Sequence, residues 1–565
     1  MGLNFQKSFR VIPGVRMTLG WGAVAGLVAA LPVGVLMATQ HMVAGFPGWL
    51  TFVAYALVIG VVLGAVARGA RQGLAMTASA GVLLGTLGWL VYSLTVEPLV
   101  HGQLPTWSAA SAARTYPELV GDILHGGLTG FLLHFLAGAW ALKERVRQWP
   151  EQRARIVVVG GGFAGVSAAQ RFEKLVLRGA KLDVTLVSDS NFLLFTPMLA
   201  EVASGALEPA HISAPIRSAA AHTTFLYGRV DRIDPAVREV VLDSGESLRY
   251  DHLVLAVGSV PHTFGLPGID EHSFPLKNLA DAIELRNHVL LMLEAADRET
   301  DPRTRRELLT FVVAGAGFAG TETVAELFDL VHGVSHYYPG IAPDEPRFVL
   351  VHAGERILPE LGPELAAYSM ERLAARGIEH RLNMRVTEAA EDLVRLGNDE
   401  LIPTRTFVWT AGNKPTPLIP DLATDTSLRA IGLEDVWAVG DCARIPDPLR
   451  EGEFYPPTAQ HALRQGKAVA DNVALVVAGR SPLEFRFRTV GVLVALGHRT
   501  AAAEIRGRRF AGLVAWLLWR GIYLSKLPGV EKRLRVLFDW TLDLVFPRDI
   551  VVTSAAPRRS KVRAR

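Results

Sequence analysis

The chain has 565 residues, half of them hydrophobic, a net charge of only +3 and a single cysteine, Cys442. That length exceeds one hydrophobic core and predicts several domains, while a lone cysteine excludes a disulfide framework, a cysteine-rich metal site and an internal redox dithiol. The near-balanced charge argues neither for nor against a nucleic-acid partner, and none is expected; a mean hydropathy of +0.26 is high for a wholly soluble protein.

Four apolar runs open the chain, at residues 17–38, 46–67, 73–96 and 123–142. Each is long enough to cross a hydrocarbon core of about 30 Å as a helix. Every run holds a pair of glycines one turn apart: Gly22/Gly26, Gly60/Gly64, Gly81/Gly85 and Gly126/Gly130. Such a pair leaves a smooth stripe for a neighbouring helix, although glycine is also simply common in membrane helices. Lys7, Arg10 and Arg16 precede the first run, Arg68 and Arg71 lie between the second and third, and Lys143, Arg145, Arg147, Arg153 and Arg155 follow the fourth. The positive-inside rule then predicts a domain integral to the cytoplasmic membrane, with everything after it facing the cytoplasm. A signal peptide is rejected for the first run, which is too long and is followed by three more. His125 and His134 fall in the fourth run. With no Asp, Glu or Lys read inside the runs to complete a proton relay, an interhelical hydrogen bond or an interfacial position is the expected role of both.

After a basic linker, short β-branched runs alternate with helical stretches. RIVVVGGGFAGVSAAQ, from Arg155, recurs as TFVVAGAGFAGTETVAEL, from Thr310. Gly160, Gly162 and Gly165 align with Gly315, Gly317 and Gly320. In each copy the first glycine permits a tight strand-to-helix turn, the second lets backbone approach a pyrophosphate, and the third lets helix and strand pack closely. One such motif is weak evidence; two in the same strand–turn–helix setting predict two bound dinucleotides. The second strand of such a unit ordinarily ends in an acid for the adenosine ribose. In the first copy the strand 184–187 is followed by Ser188 and Asp189, either of which could serve. In the second, the strand 348–351 runs into His352, with Glu355 and Arg356 close behind, so the choice between NADH and NADPH stays open.

Two dinucleotides in one chain suggest FAD in the first cleft and NAD(P)H in the second. VWAVGDCARI (436–445) fits an FAD site, its Asp441 reaching the ribityl and pyrophosphate region. LVLAVGS, with Gly258, and FVWTAG, with Gly412, read as crossovers between the two domains.

From Arg155 to Asp549 the chain resembles the type II NADH:quinone oxidoreductases, or alternative NADH dehydrogenases. The motifs FTPMLAEVASGALEP, TFGLPGIDEHSFPLKNLADA, AGFAGTETVAEL, RILPEL, FVWTAGNKP, AVGDCA, YPPTAQHALRQGKAVADN and AWLLWRGIYLSKLPG occur in that order. The resemblance implies FAD held by Gly160, Gly162, Gly165 and Asp441, and NADH by Gly315, Gly317 and Gly320. It places Glu322 near the meeting of nicotinamide and flavin, and Gln460 and Gln465 beside a quinone tunnel. Lys526, in the last motif, joins the cofactor-binding set. Without the resemblance, Glu322 would be a helix-dipole glutamate and the two glutamines ordinary helix-surface residues. Ser188 and His352 depart from the pattern, and the apolar N-terminal region lies outside it.

Residues 510–546 mix Trp516, Trp519, Tyr523 and Trp540 with Arg520, Lys526, Lys532, Arg533 and Arg535. The expectation is an amphipathic region in the lipid interface, with aromatics at headgroup depth, and a buried helix pair as the alternative. The basic tail 557–565 would be held near lipid by charge. The expected fold is thus α/β, with two Rossmann-like domains between a four-helix transmembrane domain and a C-terminal anchoring region. Its boundaries are a transmembrane domain at 1–148, an FAD domain at 149–305 and 416–480, an NAD(P)H domain at 306–415 and a membrane-associating region at 481–565. The expected activity is hydride transfer from NADH to FAD and two-electron reduction of ubiquinone or menaquinone without proton pumping. A homodimer is compatible with this. The alternatives are a flavin oxidoreductase with another acceptor, or a membrane sensor or transport protein with a reductase-like part. Dithiol reductases and sulfide:quinone reductases are excluded by the solitary cysteine.

Overall fold

The computed structural model describes residues 15–39, 45–66, 74–100, 102, 104–105, 107–145, 153–418 and 422–552. Lys7, Arg10, Arg68, Arg71, Arg147 and the basic tail lie outside these residues. Contacts divide the chain into two compact units, one of the N-terminal helices together with residues 173–183 and 220–224, the other of mixed α/β structure over residues 154–172, 184–219 and 225–565.

The helical unit contains Val15–Thr39, Gly45–Val66, Leu74–Val91 and Tyr116–Arg145. The third helix continues through a π-helical turn, Tyr92–Val96, and a short helix, Ala109–Arg114, precedes the fourth. All four long helices have the length and hydropathy needed to cross a membrane. The fourth starts well before the expected residue 123. Pro117 sits in its first turn, where the missing N–H costs nothing, and Trp89 Nε1 donates to the Thr115 carbonyl just ahead of it at 3.1 Å. Glu118 and Asp122, which had interrupted the apolar pattern, are therefore helical, and Asp122 is only 6 % exposed. The run as read holds no acid, but the longer helix takes in Asp122, whose partner is Tyr55.

The glycine pairs are used two by two. A Cβ on Gly22 would strike the Gly60 carbonyl and one on Gly64 the Thr18 carbonyl, so the first and second helices touch backbone to backbone. Gly81 and Gly126 do the same for the third and fourth helices, with Gly85 against the Asp122 carbonyl and Gly130 against that of Thr77. Large side chains such as Leu31 and Leu50 face outward, the reverse of a soluble bundle and the arrangement that suits lipid. His125 is fully buried and its Nε2 lies 3.0 Å from the Gly26 carbonyl oxygen, an interhelical bond. His134 is half-buried, edge-on to Phe135.

The α/β unit repeats one plan. Its first sheet runs Val436–Ala438, His252–Leu255, Ala154–Val159, Leu182–Ser188, Thr224–Tyr227. The second runs Phe274–Pro275, Thr406–Trp409, Thr310–Ala314, Arg347–Val351, Ile378–Arg381, with every pairing parallel. An antiparallel three-stranded meander interrupts each half just before a central strand: Val230–Arg249 ahead of His252–Leu255, and Val386–Pro403 ahead of Thr406–Trp409. The repetition thus extends far beyond the glycine loops. Both central strands are buried along their length, as parallel strands covered on two faces must be. Phe274–Pro275 pairs within the second sheet, so sheet membership changes ahead of residue 305. The crossovers themselves meet: Ser259–Pro261 pairs antiparallel with Asn413–Pro415.

The chain ends in a three-stranded sheet, Gly491–Ala495, Ala501–Ile505 and Arg508–Ala511, followed by helices Gly512–Lys526 and Val530–Asp543. Trp519 and Trp540 are 1 % and 3 % exposed and belong to the same core as Leu327, Leu330 and Val331. Here the expectation of aromatics at headgroup depth is corrected for these two: they are core residues. Four of the five basic groups are also engaged. Arg520 lies over the Trp516 and Trp540 rings at 3.9 and 4.6 Å. Lys532 donates to the Ala210 carbonyl, Arg533 to that of Leu527, and Arg535 pairs with Glu531. The outer faces remain apolar, with Leu513, Val514, Leu517, Leu534, Leu537 and Phe538 exposed.

Candidate active site

Both glycine turns have the shape a pyrophosphate needs. Gly160 and Gly315 sit at φ 114° and 101°, the left-handed region that lets a strand turn sharply into the next helix. A Cβ at Gly162 would meet nothing within 4 Å, and one at Gly317 only the tip of Glu360 at 3.4 Å. Space is thus open in front of each middle glycine. A Cβ at Gly165 or Gly320 would collide with the carbonyl oxygen of Gly160 or Gly315. The helices that follow, Phe163–Leu177 and Phe318–Val334, point their N-termini at these openings. Both turns therefore fit a dinucleotide.

The residues that end the second strand of each unit also correspond. Ser188 ends its strand buried, and a Cβ built on Gly161 would come within 2.6 Å of the Ser188 Oγ, so that hydroxyl faces the first loop while Asp189 is exposed. In the second loop the Ala316 N–H donates to His352 Nδ1 at 3.2 Å. Burial holds the His352 imidazole below its ordinary range. Glu355 is exposed.

Asp441 lies in the short turn Gly440–Cys442 that follows the edge strand of the first sheet. The Ser259 hydroxyl donates to it at 3.1 Å, and Lys277 Nζ is 3.9 Å away. Lys277 donates to Ser259 Oγ at 2.8 Å and to Asn413 Oδ1 at 3.2 Å, tying both crossovers to this carboxylate. Burial lowers the affinity of Lys277 for its proton, and Asp441 opposes that. Sequence reasoning missed Lys277, although it stands in a quoted motif. Gly258 adopts φ 71°, and Gly412 is pressed by the Phe264 ring. Cys442 is buried, and its thiol is pushed up to about 11, which leaves it inert.

Gln465 is 2 % exposed and accepts the Gly440 N–H at 2.9 Å, beside Asp441. It is not a surface glutamine. Gln460, five residues earlier on the same helix, Ala459–Val477, holds the start of the C-terminal sheet through Val490 N–H and the Gly491 carbonyl. Lys526 is exposed in the last turn of its helix.

Glu322 is buried on Phe318–Val334, and its Oε1 accepts from Ala495 N–H at 3.0 Å and Trp519 Nε1 at 3.2 Å. Burial pushes its carboxyl up to about 8, the two hydrogen bonds opposing. A helix-dipole glutamate would be exposed and lowered instead. Glu326, one turn on, accepts from Ser204 Oγ at 2.6 Å and from Arg548 at 3.1 Å. Asp329 pairs with Arg376 and accepts the His498 N–H. Glu201 accepts from Trp540 Nε1 at 3.1 Å; full burial raises its carboxyl well above the ordinary range.

Residues 154–466 match the pyridine nucleotide-disulphide oxidoreductase family and residues 490–549 the NDH2 C-terminal domain. A probable NADH dehydrogenase of Dictyostelium discoideum is 30 % identical over 71 % of this chain and 91 % of its own. The type II NADH:quinone oxidoreductase Ndh of Mycobacterium tuberculosis is 30 % identical over 71 % and 90 %. Among solved structures, NDH2 from Plasmodium falciparum in complex with NADH superposes with a TM-score of 0.65 at 19 % identity, covering 71 % of this chain and all of that one. The fold extends to the sulfide:quinone oxidoreductase of Aquifex aeolicus, with a TM-score of 0.54 at 18 % identity over 70 % and 96 %. Twin dinucleotide turns, a C-terminal domain of the matching kind and full-length relatives agree, and the chain belongs to the type II NADH:quinone oxidoreductases of the pyridine nucleotide-disulphide oxidoreductase family.

Proposed function

We propose that the chain oxidises NADH and reduces a membrane quinone through FAD, without pumping protons. The observation that carries this is the pair of open glycine turns on two parallel sheets whose crossovers hydrogen-bond to each other at Ser259–Pro261 and Asn413–Pro415. When bound, FAD accepts the hydride and supplies the two electrons.

The residues divide the work. Gly160, Gly162 and Gly165 admit the FAD pyrophosphate, with Ser188 at its ribose. Asp441, held by Ser259 and Lys277, orients the ribityl side, and the Lys277 ammonium offsets negative charge there. Gly315, Gly317 and Gly320 admit NADH. Gln465 fixes the Gly440 turn, and Gln460 fixes the entrance of the C-terminal sheet, where a quinone headgroup would arrive. Glu322, neutral over most of the physiological range, holds a proton in an apolar setting, where quinone reduction consumes one.

The exposed apolar strip of Leu513, Leu517, Leu534 and Phe538 suits docking on lipid, the source of the quinone. The four N-terminal helices would anchor the chain in the cytoplasmic membrane with the α/β unit on the cytoplasmic side. The test is direct. Purified protein should carry flavin and oxidise NADH with a soluble quinone. Protein without flavin, or flavoprotein inert to NADH, overturns the reading.

A further inference from the structure

The turn after Arg347–Val351 is where a dinucleotide fold ordinarily selects between NADH and NADPH. A carboxylate there accepts hydrogen bonds from the ribose hydroxyls and repels a 2′-phosphate. This chain has His352 at that place, and its hydrogen bonding is determined by a donor that has no alternative. The Ala316 backbone N–H points at Nδ1 from 3.2 Å. A backbone N–H only donates, so Nδ1 is the acceptor and the proton of the neutral ring sits on Nε2. What the turn offers is a half-buried N–H donor.

A donor bonds to a hydroxyl oxygen and more strongly to an ionised phosphate oxygen, and a neutral ring repels neither. The surrounding charge is permissive. Arg356, in the same turn, is exposed and donates to the Pro359 carbonyl. The Asn383 and Met384 N–H groups donate to the Gly354 and His352 carbonyls, and Arg385, the next residue along, is exposed. Glu355 is the one acid of the turn and is turned to solvent. Arginine near this position is the usual accommodation of a 2′-phosphate.

We propose that His352 reads the adenosine ribose as a donor, so that NADPH serves as a hydride source alongside NADH. This rests on the dinucleotide reading of the second glycine turn. It is tested on the purified full-length holoprotein by calorimetric binding of NAD⁺ and NADP⁺ and by stopped-flow flavin reduction with NADH and NADPH. The expected result is binding constants and kcat/KM values within about tenfold of each other, a gap under about 1.4 kcal/mol. His352→Glu keeps an acceptor for the Ala316 N–H and adds the missing charge. It should move the NADH-to-NADPH ratio toward NADH by about 100-fold or more in both measurements. A preference for NADH above about 100-fold in the unaltered protein, or a ratio that His352→Glu leaves in place, overturns the inference. If neither nucleotide reduces the flavin, the oxidoreductase reading fails, and the ratio of binding constants still decides the role of His352.

Discussion

Gly162 and Gly317 are equivalent by sequence and by shape, yet substitution should separate them. Valine at either would fill space that no protein atom now occupies within 3.4 Å. Gly162→Val should purify without flavin. Gly317→Val should retain flavin and show KM for NADH raised by about tenfold or more, since only the second cradle is blocked. Absorbance of the purified variants and steady-state kinetics check this, and flavin loss from both would merge the two sites into one.

Glu322 gives a pH signature. Its carboxyl sits at about 8 in the folded chain against 4.5 for a free side chain. The fold therefore favours the protonated form. That stabilisation is complete below 4.5, and it is lost progressively as pH rises through 8. Glu322→Gln carries no such dependence, so its thermal midpoint should rise relative to the unaltered protein between pH 5 and 8. The gap approaches about 3 kcal/mol by pH 7 on the conversion of about 1.36 kcal/mol per unit. Quinone reduction by the unaltered enzyme should fall above about pH 8, with that limb absent in the variant. Parallel midpoints at all pH values would remove the buried-acid account. None of this is legible in the letters of the sequence. TETVAEL gives a glutamate near a helix start; only the tertiary placement of Ala495 and Trp519 over it makes it a buried acid.

At the scale of elements, the helix Phe318–Val334 binds the C-terminal segment by three acids on one face. Glu322 holds Ala495 and Trp519, Glu326 holds Arg548, and Asp329 holds the His498 N–H. Spacings of four and three residues put them in line. Arg548 bridges Glu326 and Asp543 with its side chain 11 % exposed. Arg548→Ala would leave the buried Glu326 with only the Ser204 hydroxyl and the half-buried Asp543 without its cation, a loss of up to about 3–5 kcal/mol. Limited proteolysis should then cut within 490–549 first, while flavin stays bound; uniform resistance would contradict the latch. The strand–turn–helix units were legible because glycine spacing and β-branched runs are local signals. The C-terminal helices were not. Their aromatic and basic content reads as an interfacial helix, and only packing distinguishes inward Trp519 and Trp540 from outward Leu517 and Phe538. The fourth apolar helix was misjudged at its start for a related reason: Glu118 and Asp122 lower hydropathy locally without ending the helix.

At the scale of the whole molecule, the α/β unit has its own core, its own pair of dinucleotide turns and its own apolar strip, so the N-terminal helices should be dispensable for chemistry. A chain lacking residues 1–153 should fold with flavin bound and oxidise NADH with a soluble quinone at a rate within a few-fold of the full chain. That shortened chain isolates the second prediction. Its exposed Leu513, Leu517, Leu534 and Phe538 should still bring it to vesicles of mixed neutral and anionic lipid. Leu517→Asp combined with Phe538→Asp should abolish sedimentation with vesicles while leaving activity toward soluble quinone intact, because both side chains point away from the core that holds Trp519 and Trp540. Loss of vesicle binding upon deletion alone would assign all membrane affinity to the N-terminal helices. Loss of soluble activity in the double variant would mean that the strip shapes the quinone entrance itself rather than the surface around it.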